Sequence, residues 1–296
     1  VSIDRAYCLQ AAEPLPQGIV RVANGRIGHA LEELRGKSDS TPEEAVHEAR
    51  KDLKKLRALL RMTRGELGDA TFRLENLCFR DAGRELAGVR ESDVMLDTLK
   101  ALDIPAGVES ELRATIQGHR ARNGGDVRRT ASTGVVAMLR EARERVEDWP
   151  LESDSFDALC KGLERTYRHG RRDFRAAQGA PTVEALHEWR KRVKDLWYQH
   201  TLLRELWPPV MQAVGSEAHQ LANRLGDDHD LATLAGWVRE HAAADPEFFE
   251  AVESRRSELQ AEAMGLGERL YADKPGPYVR RLRRLWNTAQ TSVRAP

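Results

Sequence analysis

Cysteine is nearly absent: Cys8, Cys78 and Cys160 are widely spaced and odd in number. That excludes a disulfide framework and a cysteine-rich metal site, and leaves three small core side chains of a reducing compartment. Apolar runs are short. No stretch of eighteen or more residues would fill a bilayer, and the N-terminus lacks the basic-then-apolar order of a secretory signal. The expectation is a soluble, cytoplasmic protein without a membrane partner, with a removed leader ahead of Val1 left open. Aromatic residues amount to 6%, which leaves few platforms on which bases could stack. Strand-like alternation between turn residues is nearly missing, which argues against a sheet. Net charge is missing too, since 47 basic residues balance 47 acidic ones.

What is present is charge in quantity, 32% of the chain, beside 41% hydrophobic residues, enough apolar matter for a proper core in a chain of 296 residues. The charges are segregated. His47 to Arg64 carries a basic excess of five, Arg165 to Arg175 of four, His187 to Lys194 of three, and Lys274 to Arg284 of five. A neutral total built this way predicts local positive fields on an otherwise acidic molecule.

Helical periodicity runs throughout, and the sequence predicts an all-α protein. Thr41, Pro42 and Glu44 form an N-terminal signal for a helix that continues through Leu53, Leu56, Leu59 and Leu60 to Gly65. Further breaks are expected at Pro105, Gly124-Gly125, Pro150, Gly179 to Pro181, Pro208-Pro209, Pro246 and Pro275. The chain also repeats itself. HEARKDLKKL, from His47 to Leu56, recurs 140 residues later as HEWRKRVKDL, from His187 to Leu196, with six of ten positions identical. Glu44-Ala45 likewise matches Glu184-Ala185. A weaker echo pairs Leu86 to Leu96 with Leu225 to Leu234, each read as a helix end carrying acids. Duplication is the economical explanation, with a boundary near Pro150 and halves at 15–149 and 150–290.

On a helix, His47, Arg50, Lys54 and Arg57 stand at i, i+3, i+7 and i+10, within an arc of roughly 80° and along roughly 15 Å of axis. His187, Arg190 and Lys194 repeat the stripe, and Trp197 takes the fourth place. Guanidinium forks, mobile ammonium groups and imidazoles along a line suit a linear phosphate polymer, and the stripe contains no nucleophile and no carboxylate pair. Lys51 and Lys191 flank the two stripes. Arg168, Arg171, Arg172 and Arg175 form another helix face, and Lys274 with Arg280, Arg281, Arg283 and Arg284 crowds the C-terminus; of these, Arg168, Arg171, Arg172, Lys274 and Arg281 are candidates to complete the site. The competing explanation for each is a solvated face or a snorkelling rim.

The segments HEARKDLKKLRALLRM and LHEWRKRVKDLWYQHTLL resemble the hallmark of the CHAD domain, the conserved histidine α-helical domain. ERTYRHGRRDFR, LGDDHDLATL and GERLYADKPGPYVRRLRRLW are similar to other parts of it, so that the resemblance extends from about Leu15 onward. It implies two four-helix bundles related by a pseudo-twofold axis, with basic side chains along a central groove. It implies inorganic polyphosphate as partner, association with polyphosphate granules, and binding through His47, Arg50, Lys54, Arg57, His187, Arg190 and Lys194. The ExExK motif of an attached triphosphate-tunnel domain is absent from this sequence, so no catalysis and no cofactor are expected.

Two alternatives compete. His229-Asp230 reads as the centre of an HD-type metal-dependent phosphohydrolase, or else as a turn cluster with Asp227 or Asp228 as an N-cap. Nucleic acid is the other polyanion an arginine stripe attracts, and it is disfavoured by the absence of aromatics in the first stripe.

Overall fold

The computed structural model describes residues 6–86, 91–123, 128–242 and 246–294, and among these there are ten α-helices and no strand. They are α1 (Leu15–Leu34), α2 (Pro42–Glu85), α3 (Glu91–Lys100), α4 (Ala106–Asn123), α5 (Arg128–Val146), α6 (Asp157–Gly179), α7 (Val183–Leu202), α8 (Pro208–His241), α9 (Pro246–Leu270) and α10 (Pro275–Arg294), with a 3-10 turn at Arg204–Leu206. The expected breaks at prolines are met: α4, α8, α9 and α10 each begin at or next to one, because a proline gives up no useful N–H in the first turn. The Gly124-Gly125 break lies outside the described residues.

The start of α2 follows from its sequence. The Thr41 hydroxyl accepts from the Glu44 amide at 3.3 Å, and the Thr41 amide donates back to the Glu44 carboxylate at 2.8 Å. Two of the orphan N–H groups of the first turn are thereby satisfied. Its end does not follow. The helix passes through Gly65 and kinks at Gly68, whose backbone (φ 72°, ψ 164°) is one that L side chains rarely adopt, before running on to Glu85. A glycine within a helix costs only about 1 kcal/mol, so Gly65 alone does not stop it. The second correction concerns the acids after Leu225. They lie in the interior of the 34-residue α8 and mark no helix end; Asp227 and Asp228 cap nothing.

Each half contributes five helices, one more than a four-helix bundle, and the same pairings recur: α1 packs on α2 and α5 as α6 packs on α7 and α10, and α3 pairs with α4 as α8 pairs with α9. The halves nevertheless share a core. Leu56, Leu59, Leu60 and Met62 of α2 belong to one buried cluster with Leu159, Leu163 and Tyr167 of α6 and Trp189, Val193 and Leu196 of α7. At the crossing of α2 and α6 the helices touch backbone to backbone, since a β-carbon on Gly162 would overlap the Met62 carbonyl oxygen. A smaller core joins Met95 and Leu99 of α3 and Leu112 and Ile116 of α4 to Leu234 and Val238 of α8 and Phe248 and Val252 of α9.

This packing brings α2 directly against α7. The segment before α1 straps them together: the Tyr7 hydroxyl donates to the Lys55 carbonyl at 3.1 Å, its ring meets Tyr198 edge-on, and the Leu9 amide donates to the Leu202 carbonyl at 2.8 Å. Buried Asp52, held by Arg26 (3.1 Å) and His29 (2.5 Å) of α1, anchors α2 from behind.

Candidate functional site

The two stripes line one cleft of about 840 Å³. From α2 come His47, Arg50, Lys54, Arg57 and Arg61; from α7 come His187, Arg190, Lys191, Arg192 and Lys194, with Asp195 and Tyr198 at the end. His229, Asp230 and Thr233 of α8 and Val94 and Met95 of α3 complete the wall. Eight lysines and arginines thus face two carboxylates, an excess of six positive charges before any histidine is protonated.

The geometry follows from helix periodicity on both sides. The positions between the stripe residues, such as Leu53, Leu56 and Leu60 on α2 and Trp189, Val193 and Leu196 on α7, are buried in the shared core, which turns the cationic arcs toward each other across the cleft. Arg61 continues the first stripe at i+14, one step beyond the expected residues; its periodicity was signal enough to include it. It closes the cleft's far end, donating to Asp195 at 2.8 Å, and Arg192 reaches the same carboxylate at 3.2 Å. Arg57 is steadied by Asn76 at 3.1 Å. Arg190 lies across the backbone of α8 at Gly226, where a β-carbon would sit 2.7 Å from a guanidinium nitrogen. The rings of His187 and His229 lie 4.6 Å apart between their centroids.

Crowding of like charge shapes the titration of the site. Lys54 stays in contact with the water of the cleft, yet enclosing protein, with Arg50 and Arg190 beside it, brings its pKa down to about 8. Lys194 is brought down to about 7 by burial first, then by Arg190 and Lys54, with Asp230 acting the other way. Burial and Arg61 lower Arg57 to about 10, which leaves it charged at neutral pH. His187 is lowered by burial and by His229, and His229 by burial and by Arg190. The cleft concentrates positive charge that Asp195 and Asp230 offset only in part, and the chemistry it offers is the neutralisation of a polyanion.

The model of the CHAD domain family matches residues 21–239, well over half of the sequence. This chain belongs to the CHAD domain family. A crystal structure of the CHAD domain from the plant Ricinus communis has a similar fold, with a TM-score of 0.60 and 18% identity over 94% of each chain. No curated protein sequence matches.

Eight of the fourteen expected binding residues of this CHAD domain are in the cleft: His47, Arg50, Lys54, Arg57, His187, Arg190, Lys191 and Lys194. Six lie outside it. Lys51 turns to Glu48 at 2.9 Å. Arg168 pairs with Glu164, Arg171 donates to the Asp273 carbonyl, and Arg172 pairs with Asp173 at 2.7 Å. Those three do share a helix face, but Tyr167, Gly170, Asp173, Phe174 and Ala177 point α6 into the core and none of the arginines lines the cleft; Arg172 is linked to its rim through Asp173, which Arg192 also reaches at 3.6 Å. Lys274 is exposed just ahead of α10, and Arg281 borders a separate cavity of about 460 Å³ beneath that helix. Trp197 ends the second stripe as expected, stacked on His219 with ring centroids 3.9 Å apart.

The HD-like pair sits differently from both readings of it. His229 and Asp230 face the cleft from mid-helix, while the neighbouring Asp228 is buried and accepts from Arg256 (3.1 Å) and Gln260 (2.7 Å). Among the described residues no group of three His, Cys, Asp or Glu side chains is placed to hold a metal ion. No described helix is long and apolar enough to cross a membrane.

Proposed function

We propose that this CHAD domain binds inorganic polyphosphate in the cleft between α2 and α7 and holds the chain without cleaving it. The observation that carries this reading is the convergence of two cationic stripes, 140 residues apart in sequence, on one elongated cleft. A linear polymer of phosphates can meet both stripes at once, with guanidinium forks and ammonium groups replacing its counterions. Phenylalanine and tryptophan are absent from the lining of the cleft and its one tyrosine, Tyr198, is buried, so bases would find there only imidazoles and guanidinium planes to stack on. That favours polyphosphate over nucleic acid. A cytoplasmic location and attachment to polyphosphate granules fit the same reading, as does descent of residues 15–149 and 150–290 from one duplicated unit.

The test pairs a variant with a competition. Replacing Arg50, Lys54, Arg190 and Lys194 together by alanine should reduce polyphosphate affinity at least about a hundredfold while helix content stays unchanged, because these side chains leave the core intact. Long-chain polyphosphate should displace single-stranded DNA of equal charge from the parent protein. Undiminished binding by the quadruple variant, or preference for the DNA, would overturn the assignment.

A further inference from the structure

At the centre of the cleft four cations form a knot: Arg50 and Lys54 of α2 beside Arg190 and Lys194 of α7. The groups facing Lys194 are these three, His187 on its own helix, and His219, His229, Asp230 and Thr233 of α8. Asp230 supplies the negative charge among them. Other lysines are differently placed: Lys191, also in the cleft lining, contacts Glu188, Lys51 contacts Glu48, and Lys100 and Lys274 stand in open solvent. An amine set between guanidiniums is an unusual combination, a nucleophile next to a phosphate grip.

We propose that Lys194 is a site of N-acylation by small acyl phosphates, its Nζ attacking the acyl carbon while the Arg50 and Arg190 guanidiniums hold the phosphate end. The inference rests on the reading of the cleft as a phosphate site. The nitrogen lone pair forms the new C–N bond, and the bond from the acyl carbon to the bridging oxygen breaks. Inorganic phosphate leaves with that electron pair, and the amine proton passes to it or to water. The reaction needs no redox partner: amine and acyl phosphate give amide and phosphate. The lowered pKa supports the step, since an amine with a pKa of about 7 is about half uncharged at neutral pH whereas an ordinary lysine is almost wholly ammonium. The product has lost a positive charge from the centre of the cleft, so acylation weakens polyanion binding. A bound polyanion, in turn, blocks the cleft and keeps Lys194 protonated, so the two events exclude each other.

The full chain would be treated with acetyl phosphate near pH 7.5 and mapped by peptide mass spectrometry. Lys194 should acquire the acetyl group at least about tenfold faster than Lys100 or Lys274. Long-chain polyphosphate should suppress labelling at Lys194 and leave Lys100 unchanged. Repeating the reaction with an N-hydroxysuccinimidyl acetate, which carries no phosphate, should shrink the preference. Equal rates at Lys194 and the surface lysines overturn the proposal, and so does an equal preference with the succinimidyl reagent, which would remove any role for phosphate capture. Polyphosphate binding measured on the same sample separates the two ideas. Intact binding without selective labelling rejects the acylation alone, whereas absent binding rejects the phosphate reading beneath it.

Discussion

Residue by residue, the site is defined less by how many cations it has than by how close they are. Burial, Arg50 and Arg190 lower the pKa of Lys54, and burial, Arg190 and Lys54 lower that of Lys194, where Asp230 acts the other way. Phosphate lying between them favours the ammonium forms and raises both values in the complex. Binding therefore takes up protons wherever the pH lies above the free-protein values of about 7 and about 8 and below those of the complex. Affinity should weaken as pH rises from about 7 to about 9, and it should level off below that range as far as the lysines are concerned, both being charged with or without ligand. His187 and His229, with lowered values, extend the response to more acid pH. Titrations across that range decide the matter: changing Lys54 and Lys194 together to arginine, which stays charged, should flatten the alkaline limb. An unchanged limb in that variant would assign it elsewhere.

At the scale of elements, the position of α2 matters most, because it carries one stripe and touches α1, α5, α6 and α7. Its crossing with α6 admits no side chain at Gly162. Gly162→Ala should force the two backbones apart at a cost of about 3 kcal/mol, seen as a fall in Tm of roughly 5–10 °C. Gly65→Ala, on the facing helix α2, is the control: its β-carbon would come no nearer than 3.7 Å to the Ala158 carbonyl, and alanine suits a helix interior better, so Tm should hold or rise slightly. Thermal melts in which both variants behave alike would mean that the crossing is not as tight as described.

For the whole molecule, the recurrence of pairings in the two halves does not make them independent. The main core crosses the boundary at Pro150, and the strap of Tyr7 and Leu9 runs between helices of both halves. Residues 1–149 expressed alone should therefore expose the faces of α2 that meet α6 and α7, and should show no cooperative unfolding transition in denaturant, whereas the full chain unfolds cooperatively. A sharp transition with full helicity in the fragment would show that each half carries a sufficient core.

The sequence alone determined that the chain is helical, where most helices begin, and which cations share a helix face, because each of these is settled within a few turns of backbone. Periodicity placed His47, Arg50, Lys54 and Arg57 on one arc, and the Thr41 cap started their helix. Motif identity at an offset of 140 announced the second arc. Which arcs meet was decided by tertiary structure. Arg168, Arg171 and Arg175 of α6 repeat the i, i+3, i+7 spacing of the stripe of α2, yet they do not line the cleft, since the direction of a face depends on what its opposite side packs against. For the same reason His229 and Asp230 enter the cleft only because α8 lies along α7, and Arg190 lies close over the backbone of α8 at Gly226. The lowered pKa values of Lys54 and Lys194 belong to the fold as well, because they arise from burial and from charges brought together from distant parts of the chain, which no local pattern records.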